Sequence, residues 1–215
     1  MARGSKISSA GIAGAKARVA PIRRGDAKQK AILKGAKAVF LKNGFAGASM
    51  DDVAAQAGVS KMTVYRHFGS KEELFAGLIT DLCARIVDVD LEEMLKSEPR
   101  EALRAYARRM IAIVFAPETV ELHRIVVAEG HRFARLGQMF YATGPERLID
   151  VLADYFTRNR ADPRFKLRDP RRSAEEFLEL LRGYAHLRML LGLEKSLSKR
   201  DVESRVAAAV GHVLV

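Results

Sequence analysis

Apolar residues recur at three- and four-residue intervals along most of the chain, and nowhere do they alternate with polar ones over the length of a strand. The first such run, Ile32, Leu33, Ala36, Val39 and Phe40, predicts a helix from about Lys28 that Asn43-Gly44 ends, with Phe45 turned back to plug a small core. Two short helices are expected at Met50–Ala57 and Lys61–Phe68, joined by a turn through Gly58-Val59-Ser60, and a longer one after Ser70 running towards Leu95. Further helices are expected over about 100–115, 118–132, 133–142, 145–160, 173–192 and 199–213, punctuated by Pro99, Pro117, Gly144-Pro145, Pro163 and Pro170. The predicted fold is all-α: an N-terminal three-helix unit followed by a C-terminal helical bundle.

The densest local signal lies between Ser49 and Phe75. Ala54 is a small residue where two helices would cross, Gly58 can take a positive φ after the first, and Val64 is an apolar anchor beneath the second. Ser49 with Asp52, and Ser70 with Glu73, each place a hydroxyl three residues before a carboxylate, so helix starts are marked on both sides; Ser173 and Ser198 suit the same role later. This spacing describes a helix-turn-helix. With Val64 and Phe68 facing inward, Lys61, Met62, Thr63, Arg66 and His67 are left for a DNA major groove. Arg66 or Lys61 suits guanine O6 and N7, Thr63 a thymine methyl or a phosphate, and His67 a phosphate oxygen; which base each reads does not follow from the spacing.

The run Thr63-Val64-Tyr65-Arg66-His67-Phe68, continued by Gly69-Ser70-Lys71-Glu72-Glu73-Leu74, resembles the DNA-binding domain of TetR-type transcriptional repressors over about residues 28–75. Arg124–Leu152 and Glu176–Gly192 are similar to the regulatory half of that family's AefR-like branch. The resemblance implies that Tyr65 and Lys71 clamp the DNA strand, Tyr65 through its hydroxyl and Lys71 through a charge added to a helix N-terminus. It also implies repression, and a switch in which a small molecule among helices 4 to 7 swings helix 4 until the recognition helices no longer fit successive grooves. The expected DNA-binding set is Ser49, Ser60, Lys61, Met62, Thr63, Tyr65, Arg66, His67 and Lys71.

Charge divides the chain the same way. Residues 1–71 hold 14 Lys and Arg against three Asp, whereas residues 72–215 hold 23 basic and 23 acidic residues, so the whole net charge of +11 sits on the helix-turn-helix end. That confinement is the electrostatic footprint of a polyanion partner. The expected organisation is a flexible basic arm over 1–26, a DNA-binding domain over 27–75, and an effector-binding and dimerisation domain over 76–215. The arm, with Arg3, Lys6, Lys16, Arg18, Arg23 and Arg24, either adds phosphate or minor-groove contacts or is a disordered leader.

A short recognition helix carries little sequence information, so two copies on a palindromic operator are expected, one helical turn of DNA or a multiple of it apart. Apolar density assigns that homodimer contact to Leu148, Leu152 and Tyr155 on one late helix and Phe177, Leu181, Tyr184 and Leu191 on the next. Met110, Phe115, His123, Phe133, Met139 and Phe140 are the candidates for a small-molecule site, on the strength of the resemblance.

Two other functions compete. One is constitutive DNA binding with no effector. The other is a small hydrolase-like enzyme using His123, Glu129 and His131, since the two histidines lie eight residues apart near one helical face; against it, no third metal ligand is presented and Glu129 can pair with Arg124, Arg132 or Arg135. No catalytic triad order or nucleotide fingerprint appears, so no enzyme activity, metal or cofactor is expected. Cys83 is the single cysteine, which excludes an intrachain disulfide, and it suits a buried core position. The longest wholly apolar run, Met110 to Ala116, is seven residues, so no membrane span is expected and a cytoplasmic protein fits.

Overall fold

The computed structural model describes residues 27–87 and 97–215. The arm expected at 1–26 and the end of the fourth helix towards Leu95 lie outside the described residues. Ten helices are described: α1 (Ala27–Gly47), α2 (Met50–Ala57), α3 (Lys61–Phe68), α4 (Lys71–Val87), α5 (Pro99–Val114), α6 (Pro117–Glu129), α7 (Ala134–Thr143), α8 (Pro145–Arg158), α9 (Pro170–Leu190) and α10 (Lys199–Val213). Among the described residues, extended pairing is confined to one antiparallel bridge between Phe165 and Leu214.

The local chemistry of the first four helices follows their caps. Gly44, at φ 68° and ψ −177°, breaks the helical path of α1 and turns Phe45 inward, where it is fully buried. The amide of Asp52 donates to Ser49 Oγ at 3.1 Å, that of Thr63 to Ser60 Oγ at 3.2 Å, and that of Glu73 to Ser70 Oγ at 3.1 Å. Gly58 ends α2 in the left-handed region and donates to the carbonyls of Ala54 and Ala55. The turn before α3 is thereby fixed.

Packing joins this unit to the rest through aromatic rings. Phe45 stacks on Phe40 at 5.8 Å and meets Phe75 of α4 edge-on at 5.8 Å, while Phe133, at the entry to α7, meets it at 5.2 Å. Burying a side chain of this size contributes roughly 1.5–3 kcal/mol. α1 crosses α2 closely at Gly35, where an added Cβ would stand 3.1 Å from Ala57.

In the second half the pattern holds with two corrections. α9 starts at Pro170, three residues before the expected Ser173, because Asp169 accepts from the Arg172 amide at 2.8 Å; Ser173 is buried instead. The helix is also not continuous: Gly183, at φ 45° and ψ −159°, leaves helical geometry, and a Cβ there would lie 2.9 Å from an Arg205 guanidinium nitrogen. α8 packs along α9, and α4 lies against α5, α7 and α8. No helix of the described residues is long and apolar enough to cross a membrane.

Candidate DNA interface and ligand cavity

On α3, Val64 and Phe68 are buried while Met62, Tyr65 and Arg66 are exposed, so one face anchors the helix and the other is presented outward. Met62, at 76% exposure, is an apolar side chain held in water. Lys61 lies beside this face but pairs with Asp51 of α2 at 2.9 Å, which raises its pKa through that hydrogen bond and charge; both partners are exposed, so water screens the pair and an incoming phosphate can compete for the ammonium. Thr63 is half-buried, its hydroxyl 2.8 Å from Ser60 Oγ, and His67 is half-buried with its ring 6.3 Å from that of Phe68. Ser49 Oγ, besides capping α2, donates to the Asp52 carboxylate at 2.6 Å. Ser49 and Ser60 therefore set the pose of the two helices.

Lys71 departs from expectation. Its ammonium donates to the carbonyls of Phe45 at 2.7 Å, Ala46 at 3.3 Å and Ala48 at 3.0 Å, and stands 4.6 Å from the centre of the Phe45 ring. The ammonium is thus directed at three carbonyls where α1 ends. The sequence signal available was the Phe45 plug itself, which leaves the carbonyls around it to be satisfied from elsewhere.

A cavity of about 400 Å³ lies in the C-terminal half, walled by α4 to α9. Three of the six candidates, Met110, His123 and Phe140, line it, with Ile79, Leu82, Ile113, Leu148, Ile149 and Leu178 supplying most of the remaining apolar wall. The other three candidates do not: Met139 is buried in the core, Phe133 faces Phe45, and Phe115 stands outside the lining with its ring edge 5.4 Å from His186. Sequence reasoning missed His186, Arg182, Glu175, Glu179 and Thr119 as lining residues. For His186 the signal was its place on the inward stripe of α9 beside Ala185 and Met189.

The His123 ring lies 5.1 Å from Phe140 and 5.1 Å from His186. Burial first, and then the Arg182 charge, lowers both imidazoles to about 4, so both are neutral at physiological pH. Arg182 itself pairs with Glu179 at 3.1 Å. Cys83, also in the wall, is buried and its thiol is pushed up to about 11 by burial, which removes thiolate chemistry near neutral pH.

His131 is exposed beyond the end of α6, away from the cavity that His123 lines. Glu129 accepts from the backbone amide of Ala46 at 3.1 Å rather than pairing with an arginine. Arg124 instead bonds Glu121 and the α9 carbonyls of Met189 and Leu190, Arg135 bonds Glu73 at 3.2 Å, and Arg132 lies over the Phe133 ring. The three residues of the enzyme reading are thus not brought together. Among the described residues, no three His, Cys, Asp or Glu side chains converge on a metal position.

Five of the seven dimer candidates, Leu148, Leu152, Tyr155, Phe177 and Leu181, are buried in the chain's own core, because α8 and α9 spend those faces on each other and on their neighbours. Tyr184 and Leu191 are exposed, together with Leu180 and Leu187.

Residues 32–78 match the family described as bacterial regulatory proteins of the tetR family, and residues 101–215 match the C-terminal domain of AefR-like transcriptional repressors. The regulator EthR of Mycolicibacterium smegmatis is 38% identical over 91 residues, 42% of this chain and 41% of that one. The chain spans about half or less of the length of the curated relatives it matches first. Solved structures extend the likeness: a TetR-family regulator from Mesorhizobium loti superposes with a TM-score of 0.72 at 27% identity, over 87% of this chain and 97% of its own. The flavonoid-responsive regulator FrrA does so with a TM-score of 0.67 at 36% identity, over 86% and 93%. With an outward-facing α3 on a Ser-capped helix-turn-helix and family matches along both halves, the chain is a member of the TetR family of DNA-binding transcriptional regulators.

Proposed function

We propose that the chain works as a homodimeric repressor in the cytoplasm, binding an inverted-repeat operator through α3 and released from it by an uncharged, planar, aromatic small molecule held in the cavity. The observation that carries the ligand reading is the cavity itself. Its volume of about 400 Å³ falls within the range of roughly 300–1,000 Å³ usual for small-molecule sites. Its chemistry narrows the occupant. Aliphatic walls and the Phe140, His123 and His186 rings favour a flat apolar body, and the neutral imidazoles can each donate or accept a hydrogen bond to a hydroxyl or carbonyl. Because Glu179 already answers the Arg182 charge, a carboxylate or phosphate ligand gains little there. FrrA, named as flavonoid-responsive, supports a ligand of that shape.

On the DNA side, Met62, Tyr65 and Arg66 share the outward face, with Arg66 as base reader and Tyr65 as phosphate donor. For the dimer, Tyr184, Leu187 and Leu191, after the Gly183 break, recur at three- and four-residue intervals and are exposed, with exposed Leu180 just before the break, an apolar surface suited to a seam against a second copy. The test begins by selecting bound fragments from genomic DNA to obtain an inverted repeat. Fluorescence anisotropy on that duplex, with and without the flavanone naringenin and a panel of flavonoids, should show one dimer per site and release by at least one compound. Tight operator binding that no compound weakens would leave a constitutive DNA-binding protein, and failure to prefer any inverted repeat would remove the operator reading.

A further inference from the structure

α6 is tied to α1 at both ends. Near its start Glu118 bonds Lys37 at 2.5 Å, and at its last residue Glu129 Oε1 accepts from the Ala46 amide at 3.1 Å. Between these ties His123 enters the cavity wall, and Arg124 bonds the carbonyls that end α9. The segment Glu129 grips is the short link between Gly44 and Ser49. On its other side the Lys71 ammonium holds the Phe45, Ala46 and Ala48 carbonyls, so the link is gripped by α4 through its acceptors and by α6 through a donor. Ala46 is exposed in the last turn of α1, two residues past the Gly44 break, and its amide donates to the Glu129 carboxylate.

We propose that Glu129 is a positioning residue for DNA binding: by accepting the Ala46 amide it sets the angle at which the link delivers α2 and α3 relative to the regulatory half. A second feature supports the choice of residue. Glu129 Oε2 is buried with no hydrogen-bond partner among the described residues, so the contact of the carboxylate with the link runs through Oε1 alone. A Cβ at Gly44 would stand 3.3 Å from Glu129 Oε1, which leaves the oxygen close against the link. An inverted repeat demands a fixed separation of two recognition helices, whereas non-specific duplex, held through phosphates alone, does not. Loosening the link should therefore weaken one kind of binding and spare the other.

This inference rests on the operator reading above, and the test separates the two. Full-length wild type, Glu129→Ala and Glu129→Gln are compared by anisotropy on the selected inverted-repeat duplex and on a random duplex of the same length. Glu129→Ala should bind the operator about tenfold more weakly, the loss expected of one hydrogen bond to a charged acceptor, with random-duplex affinity within about twofold. Glu129→Gln keeps an oxygen acceptor and should restore most of the difference. In parallel, two-dimensional NMR of the wild type should show the Ala46 amide protected from solvent exchange, a readout that needs no operator and survives any misfolding of the alanine variant. Wild-type operator affinity in Glu129→Ala, an equal loss in Glu129→Gln, an equal loss on both duplexes, or an unprotected Ala46 amide would each overturn the proposal. A wild type that prefers no inverted repeat would defeat the operator reading first, and the amide measurement would still report whether the contact forms.

Discussion

The two halves of the molecule start most of their helices by different devices, serine-capped α10 being the exception in the second. In the helix-turn-helix unit α2 and α3 are eight residues each and begin on serine hydroxyls, while α5, α6, α8 and α9 in the regulatory half all begin with a first-turn proline and only two of them carry a side-chain cap. A short helix with little packing area needs its orphan amides satisfied locally, so the position of every side chain on it follows from nearby residues. A longer helix draws its stability from packing, and which of its faces meets which neighbour is decided by residues far away in the chain. The first half is accordingly a reader set by local rules, and the second is set by packing around a cavity.

The sharpest way to break that comparison is Phe45→Ala. Three aromatic rings and the Lys71 ammonium converge on this side chain, so its loss should cost about 3–5 kcal/mol in chemical denaturation and abolish DNA binding; a cost near that of a surface substitution would mean the reader is not organised around it. Next in size is Arg66→Ala, which should weaken operator binding by about 1–3 kcal/mol in anisotropy titrations while leaving random duplex nearly unaffected. Tyr65→Phe, by contrast, should weaken both alike. An equal loss on both duplexes for Arg66→Ala would take away its reading role.

The regulatory half is probed by acid. His123 and His186 are lowered to about 4 in the folded chain and return to the ordinary histidine value on unfolding, so below about pH 6.5 the unfolded state binds more protons and stability falls as pH drops towards 4. Above pH 6.5 neither ring contributes a slope. Stability, and with it the melting temperature, should decline across that window, by up to about 3 kcal/mol per ring at pH 4, and His186→Phe should flatten the decline. A pH profile identical to the wild type's would show that the His186 ring is hydrated. The smallest effect distinguishes cap from clamp at Lys71: Lys71→Ala should lower stability by about 1 kcal/mol and leave the slope of affinity against salt unchanged, whereas loss of a phosphate contact would reduce that slope by about 0.9.

This contrast also accounts for what could be read from the chain beforehand. The helix boundaries of the reader, the left-handed Gly58 and the inward pair Val64 and Phe68 are local consequences of spacing, and they stand where the periodicity puts them. The backbone contacts of Lys71 and Glu129 were not legible because each reaches a group more than 20 residues away, and neither amide nor carbonyl carries a sequence signature. In the regulatory half, apolar stripes locate helices but do not say whether a stripe faces a neighbour, a void or a second molecule. That is why Phe133 and Met139 fall outside the cavity and Leu152 and Phe177 inside the core, while His186 and Arg182 were overlooked. The Gly183 break was hidden as well, since periodicity on either side continues almost in phase.

The masked sulfur of Cys83 has a practical corollary. With its thiol at about 11, only about one molecule in ten thousand presents a reactive thiolate at pH 7, and the side chain is buried besides. Since it is the chain's single cysteine, one engineered at exposed Met62 would take up a maleimide dye almost alone, and energy transfer between two such tags would gauge the distance between recognition helices directly, without first stripping the native residue.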